Sequence, residues 1–235
     1  MVNMNNLLIV KNLEVAIKEN KLLDNISFTL SEGSVVALVG HNGAGKSTLM
    51  KTIMGIQEKN DGEIIIDEKY NQDSNYLDYK KKIAFIPEEP LLMSELTAMQ
   101  HFQLYGKSYQ MEEDELKRRI ERYVEGFELQ GKLNEYPESL SKGMRQKVQT
   151  ICAMLPDVPL LLIDEPFMGL DIYAVDYFEE ILREKVACGT SILLTTHQIK
   201  RVKDLADHFI LLQEGEIIHK GKIAEFETIK RRREE

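Results

Sequence analysis

The chain has 235 residues, 43% of them hydrophobic, with 30 Lys and Arg against 39 Asp and Glu and a formal net charge of −9. That length is ample for one large domain, or a core carrying a subdomain, with a buried interior. The acidic balance opposes a nucleic-acid groove, and no apolar run reaches the roughly 18 residues of a membrane helix, so the chain is not expected to cross a membrane alone. Met1 to Asn6 is polar and lacks the basic start of a signal peptide. Cys152 and Cys188 have neither C-x-x-C nor Cys/His ligand spacing, so both are expected to be free core thiols in a reducing cytosol.

Taken in chain order, Leu7 to Val10, Leu13 to Ile17 and Ile26 to Leu30 read as antiparallel strands. Ser34 to Val39 reads as a fully buried strand. Directly after it, Gly40-His41-Asn42-Gly43-Ala44-Gly45-Lys46-Ser47 fills every fixed position of G-x-x-x-x-G-K-[ST], and Lys46 through Thr48, Leu49, Met50 and Ile53 begins a helix. Glycine lets the backbone wrap closely around a phosphate, and the open N–H groups and helix N-terminus supply donors and positive potential. This predicts a nucleoside triphosphate, with Lys46 on its β- and γ-phosphates and the Ser47 hydroxyl on Mg²⁺. Asp61-Gly62 then turns into the strand Glu63 to Ile66.

From about Glu88 to Asp157 the pattern turns helical and charged; Met111 to Leu129 reads as a solvated face. Leu91, Leu92, Met93, Leu96, Phe102 and Tyr105 are expected to be mostly core, some of them lining a groove for a helix of a partner. Leu140-Ser141-Lys142-Gly143-Met144 precedes a helix running on through Val148 and Ile151, with Ser141 placed as its N-cap. Leu160 to Ile163 is an apolar strand ending in Asp164 and Glu165. Asp164 would hold the Mg²⁺ hydration shell, and Glu165, on the opposite side of the strand, would polarise a water. Thr195-Thr196-His197 follows the strand Ser191 to Leu194, which puts His197 at a sheet edge where ligands bind in open α/β folds. Phe209 to Gln213, a Glu214-Gly215 turn and Glu216 to Lys220 form a hairpin, and Lys230 to Arg233 reads as a solvated helix end. There is no internal repeat and no low-complexity linker.

In that order these motifs resemble the ATP-binding cassette (ABC) ATPases over essentially the whole chain, with Gly169-Leu170-Asp171 as the D-loop. The resemblance implies an α/β P-loop NTPase (RecA-like) fold: a parallel-sheet core with an N-terminal antiparallel β subdomain and an inserted α-helical signature subdomain. It implies one domain over residues 1–235, with 1–87 and 158–235 as catalytic core and 88–157 as helical subdomain. It also implies a head-to-tail dimer, with itself or a paralogous cassette. Each ATP would lie between Gly40, His41, Asn42, Gly43, Ala44, Gly45, Lys46, Ser47 and Thr48 of one cassette and Ser141 and Gly143 of the other. By the same resemblance Glu165 is the general base, His197 contacts the γ-phosphate and Asp171 communicates across the interface.

Finer details are similar to Ecs-type exporter ATPases and relatives associated with bacterial peptide and antibiotic export: Phe85 to Pro90, Glu95 to His101, Ser141 to Val148 and Ile163 to Asp171. The expected function is ATP hydrolysis with Mg²⁺, driving a separate integral membrane permease from the cytoplasmic face of the cell membrane. The alternatives are an importer ATPase, a nucleic-acid- or ribosome-associated ABC ATPase and a non-hydrolysing regulatory cassette. The last is opposed by Lys46, Asp164, Glu165 and His197 being present. Three departures stand out. Glu88 occupies the place of a glutamine that touches Mg²⁺ and the attacking water. Lys142 and Met144 replace Gly and Gln in the signature. Ile17 sits where an aromatic usually stacks on adenine, which leaves base selectivity open.

Overall fold

A computed structural model describes residues 5–196 and 199–228. Two sheets face one another. The first is antiparallel and contains β1 (Asn6–Ile17), β2 (Asn20–Ser31), β4 (Asp61–Ile66) and β5 (Tyr70–Asn71) in the order β2-β1-β4-β5. The second contains β3 (Val35–Val39), β6 (Ile83–Ile86), β7 (Leu160–Asp164), β8 (Ser191–Thr196), β9 (His208–Gln213) and β10 (Glu216–Lys222), in the order β10-β9-β3-β8-β7-β6. Its strands pair in parallel except β10, which turns back antiparallel on β9. This is the α/β P-loop NTPase fold.

The period-2 alternation of β3 shows why both faces of the second sheet are covered. Val36 and Leu38 enter a core shared with β1, β2 and the helix α1 (Lys46–Ile53). Val35, Ala37 and Val39 enter a second core on the other face. That second core packs against α3 (Ala98–Ser108), α4 (Glu113–Gly126), α5 (Lys142–Met154) and α6 (Ile172–Ala187). A five-residue helix, α2 (Tyr76–Lys80), precedes β6, and α7 (Ile199–Val202) precedes β9.

Several expectations need correction. The two N-terminal strands are one, interrupted by a register shift between Val10 and Leu13 where Asn12 takes φ 47°. Gly62, at φ +95°, meets this irregularity so closely that a Cβ would lie 2.6 Å from the Asn12 carbonyl oxygen. The helical stretch starts at Ala98 and not at Glu88, because Pro87 and Pro90 keep the intervening chain out of helix. Thr97 and Gln100 then form a reciprocal capping box. Phe102 is core, but Leu91 and Met93 are 69% and 55% exposed. Cys152 is buried as expected, whereas Cys188 is exposed, since it caps the C-terminus of α6 at the surface. No helix among the described residues is long and apolar enough to cross a membrane.

Candidate functional site

The loop between β3 and α1 wraps around an open concavity. Gly43 and Gly45 take φ +85° and +103°, and a Cβ on Gly45 would lie 2.9 Å from the Leu23 side chain and 3.0 Å from the Leu22 carbonyl oxygen. Conformation therefore favours glycine at both positions, and space requires it at Gly45. The loop is braced from behind by the β9–β10 turn: the Gly215 N–H donates to the Ala44 carbonyl (3.0 Å), and the Gly215 carbonyl accepts from the Asp24 N–H (2.9 Å). Lys46 is only 8% exposed, and its ammonium donates to the carbonyls of Gly40 (2.9 Å) and His41 (3.1 Å). Lysine carries three N–H donors, so these two bonds fix its position and leave one for a ligand.

A cleft of about 890 Å³ opens at this loop. Asn42, Gly43, Gly45, Lys46, Ser47 and Thr48 form one wall; Glu88, Asp164, Glu165 and Met168 form the other. The end of the cleft near the β1–β2 hairpin is lined by Lys21 and Leu22, with Glu214 and Gly215 beside them. Ile17 is 49% exposed and is not among the lining residues: it sits at the hairpin tip, paired with Asn20.

Asp164 is buried at the end of β7, directly paired in register with Thr195 of β8. The Thr195 hydroxyl donates to Asp164 Oδ1 at 2.5 Å and accepts the Glu165 backbone N–H at 3.0 Å. Glu165 has φ +53°, a conformation that costs a non-glycine residue about 1–3 kcal/mol. The left-handed turn overrides strand alternation, so Asp164 and Glu165 line the same cleft and not opposite faces.

The remaining expected residues lie elsewhere. Ser141 caps α5, its Oγ accepting from the Met144 N–H at 3.2 Å, which leaves the hydroxyl proton available. A Cβ on Gly143 would lie 2.9 Å from the Gly169 carbonyl oxygen, so the start of α5 sits against the turn that leads into α6. Asp171 caps α6 through the Ala174 N–H (2.9 Å) and pairs with the Lys147 ammonium (2.7 Å). The Lys147 hydrogen bond first, and the Ala174 N–H second, hold its carboxyl below the usual carboxylate range. Ser141, Gly143 and Asp171 do not line the cleft. His197 lies outside the described residues, as do Lys230 to Arg233.

Between the cleft and α5 runs the strap Pro87 to Leu91. Buried Gln146 donates from Nε2 to the Pro87 carbonyl at 3.3 Å, and Gln149 Oε1 accepts the Leu91 N–H at 3.0 Å. Lys142 pairs with Glu89 at 2.6 Å. Gln146, Gln149, Gly215 and Thr195 are the site-shaping residues that the sequence reading did not single out. The signal for the glutamines is polar residues at inward positions of an apolar helix; Thr195 and Gly215 carry none without the sheet.

Ser47, Asp164 and Glu88 present hydroxyl and carboxylate oxygens to one cleft, a donor set of the hard kind that Mg²⁺ prefers. Among the described residues, no three His, Cys, Asp or Glu side chains are grouped to hold a metal by themselves. The chemistry therefore fits a cation shared with the oxygens of a bound nucleotide.

A glycine-rich loop running from a parallel strand into a helix, with an acidic strand end across the cleft, defines a P-loop nucleoside triphosphatase. The ABC transporter family matches residues 23–168, and the chain belongs to that family: it is an ABC transporter ATP-binding subunit and an ATPase. It is similar to the ABC-type transporter ATP-binding protein EcsA of Bacillus subtilis, at 36% identity over 93% of this chain and 88% of EcsA. The SkfA peptide export ATP-binding protein SkfE of the same organism is 32% identical over 93% of this chain and 90% of its own length. A solved ATP-binding subunit of an ABC transporter superposes with a TM-score of 0.90 at 38% identity, covering 94% of this chain and 92% of that one.

Proposed function

We propose that this chain is the ATPase of an exporter. It works as a head-to-tail dimer, with itself or a paralogous cassette, on the inner face of a membrane that it reaches through a separate integral permease. The observation that carries the dimer is the half-built site. The cleft gathers Lys46, Ser47, Asp164 and Glu165 on two walls, while Ser141 and Gly143, with a free hydroxyl proton and a helix N-terminus, lie on another surface. A second copy turned head to tail would bring those donors onto the exposed γ-phosphate, so ATP joins the two copies and ADP does not. Export is supported by the description of SkfE.

In this reading the loop amides and the Lys46 ammonium hold the β- and γ-phosphates and stabilise the charge that develops on the γ-phosphoryl oxygens. The Glu165 carboxylate takes the proton of the attacking water, and His197 contacts the γ-phosphate. Asp171 carries the state of one site across the interface. Ser47, Asp164 and Glu88 would hold Mg²⁺, which neutralises phosphate charge when bound. Residues 88–157 form a helical subdomain inserted into the catalytic core of 1–87 and 158–235, and the Pro87 to Leu91 strap links the two.

The test is Glu165→Gln, which replaces the carboxylate with a neutral side chain of the same shape and removes the proton acceptor. Turnover should fall by roughly 10²–10⁴-fold, and the variant should accumulate as an ATP-bound dimer in size-exclusion light scattering. Wild-type turnover would remove the base assignment; a monomer at every ATP concentration would remove the dimer. The export reading is tested by recovering the permease with the tagged chain in detergent and reconstituting both. Cargo should move away from the side that receives ATP; movement toward it means import.

A further inference from the structure

Thr195 lies on β8, and its register partner across the parallel ladder is Asp164. Parallel pairing puts the two side chains on the same face of the sheet. The threonine is fully buried, so its hydroxyl has no recourse to water, and both its bonds go to the site: it donates to Asp164 Oδ1 (2.5 Å) and accepts from the Glu165 N–H (3.0 Å). The second bond is made where β7 ends. Glu165 leaves the strand at φ +53°, and its N–H is taken up by the threonine hydroxyl where the ladder ends. The β-branched side chain adds stiffness, because χ1 of threonine in a strand has few alternatives.

We infer that Thr195 is a positioning residue for hydrolysis: its hydroxyl locks the carboxylate of Asp164 and the left-handed backbone of Glu165 into one rigid unit. The inference rests on the reading of Glu165 as the base. One Asp164 oxygen is held by the threonine, which leaves the other to face the cleft. The Glu165 side chain departs from a backbone turn that the same hydroxyl closes. Loss of the hydroxyl leaves metal-free phosphate binding intact, since Lys46 and the loop amides belong to α1 and the loop before it, and loosens the wall that carries Asp164 and Glu165.

The experiment compares wild type, Thr195→Val, Thr195→Ser and Glu165→Gln at saturating Mg²⁺. It measures kcat and KM for ATP, the affinity for a fluorescent ATP analogue in EDTA, and the melting temperature. Thr195→Val should lose about 10–100-fold in kcat, the worth of a hydrogen bond to a charged group. Its KM and its metal-free affinity should stay within about threefold, and Thr195→Ser, which restores the hydroxyl, should stay within about threefold of wild type in all three. If Thr195→Val does not fold, Thr195→Cys substitutes a weak S–H donor and should give the same split between kcat and KM. Wild-type kcat in Thr195→Val with Glu165→Gln inactive overturns the inference and leaves the base reading standing. Wild-type turnover in Glu165→Gln overturns the base reading itself. A parallel fall in kcat, metal-free affinity and melting temperature that serine does not rescue means the threonine only fills space, and the inference fails.

Discussion

Asp157, between α5 and β7, joins the inserted helices to the core, and its removal should be felt across the molecule. Its Oδ1 accepts from Arg119 of α4 (2.8 Å) and from Lys185 of α6 (2.8 Å), and its Oδ2 accepts again from Arg119 (2.5 Å). Asp157→Ala leaves Arg119 with Glu115 and the Leu155 carbonyl, but leaves the Lys185 ammonium, its side chain 11% exposed, with the Pro156 carbonyl alone. Burial already pushes the Lys185 pKa down, and Asp157 pulls it part of the way back. Bonds to charged groups contribute about 1.5–3 kcal/mol each when shielded, but the Asp157 side chain is 70% exposed, so solvent screening reduces each of the three to under about 1 kcal/mol. The expected loss is about 2 kcal/mol, or about 4–8 °C in melting temperature for a domain of this size.

The pH dependence has a definite sign. Arg119 first, and Lys185 after it, hold the Asp157 carboxyl far below the usual carboxylate range. A depressed carboxylate contributes fully above its unfolded pKa of about 3.9 and loses that contribution as pH falls toward its folded value. The gap between wild type and Asp157→Ala should therefore hold from pH 8 to 5 and shrink by roughly a third near pH 3.5. Thermal melts followed by circular dichroism at several pH values read this directly. A gap under 1 °C at pH 7, or one that does not change on acidification, would refute the reasoning.

Two further substitutions probe the cleft. Glu88→Gln removes a negative charge facing the phosphates while keeping an oxygen donor, so it should bind metal-free ATP more tightly than wild type, depend less on Mg²⁺ and retain hydrolysis; equal Mg²⁺ dependence in nucleotide titrations would place Glu88 outside the metal's reach. Gly40→Ala would set a Cβ 2.4 Å from the Leu212 carbonyl oxygen and 2.9 Å from Ala44 Cβ. It should cost about 1–3 kcal/mol in stability by urea titration and weaken ATP binding together with it, because the new methyl pushes on the β9 backbone and on the Ala44 methyl of the loop itself.

The local pattern of the chain was enough to determine the phosphate loop, the acidic end of β7, the Ser141 cap and the β9–β10 hairpin. Each of these is written in consecutive residues whose conformation follows from glycine freedom, apolar runs and short polar caps. Ordering those motifs along the chain was enough to reach the family and the α/β fold. What the sequence could not hold is everything that joins distant strands. Strand alternation alone sends Asp164 and Glu165 to opposite sides; a left-handed residue, bridged by a hydroxyl thirty positions away on the neighbouring strand, brings both to one cleft. That Ile17 sits exposed at the tip of the β1–β2 hairpin, opposite Asn20, is likewise a property of strand pairing. Gly215 braces the loop only once β9 and β10 lie beside β3. Tertiary structure decided these points because hydrogen bonds and register between strands depend on which segments become neighbours, and that is set by burial of the whole sheet and not by any one segment.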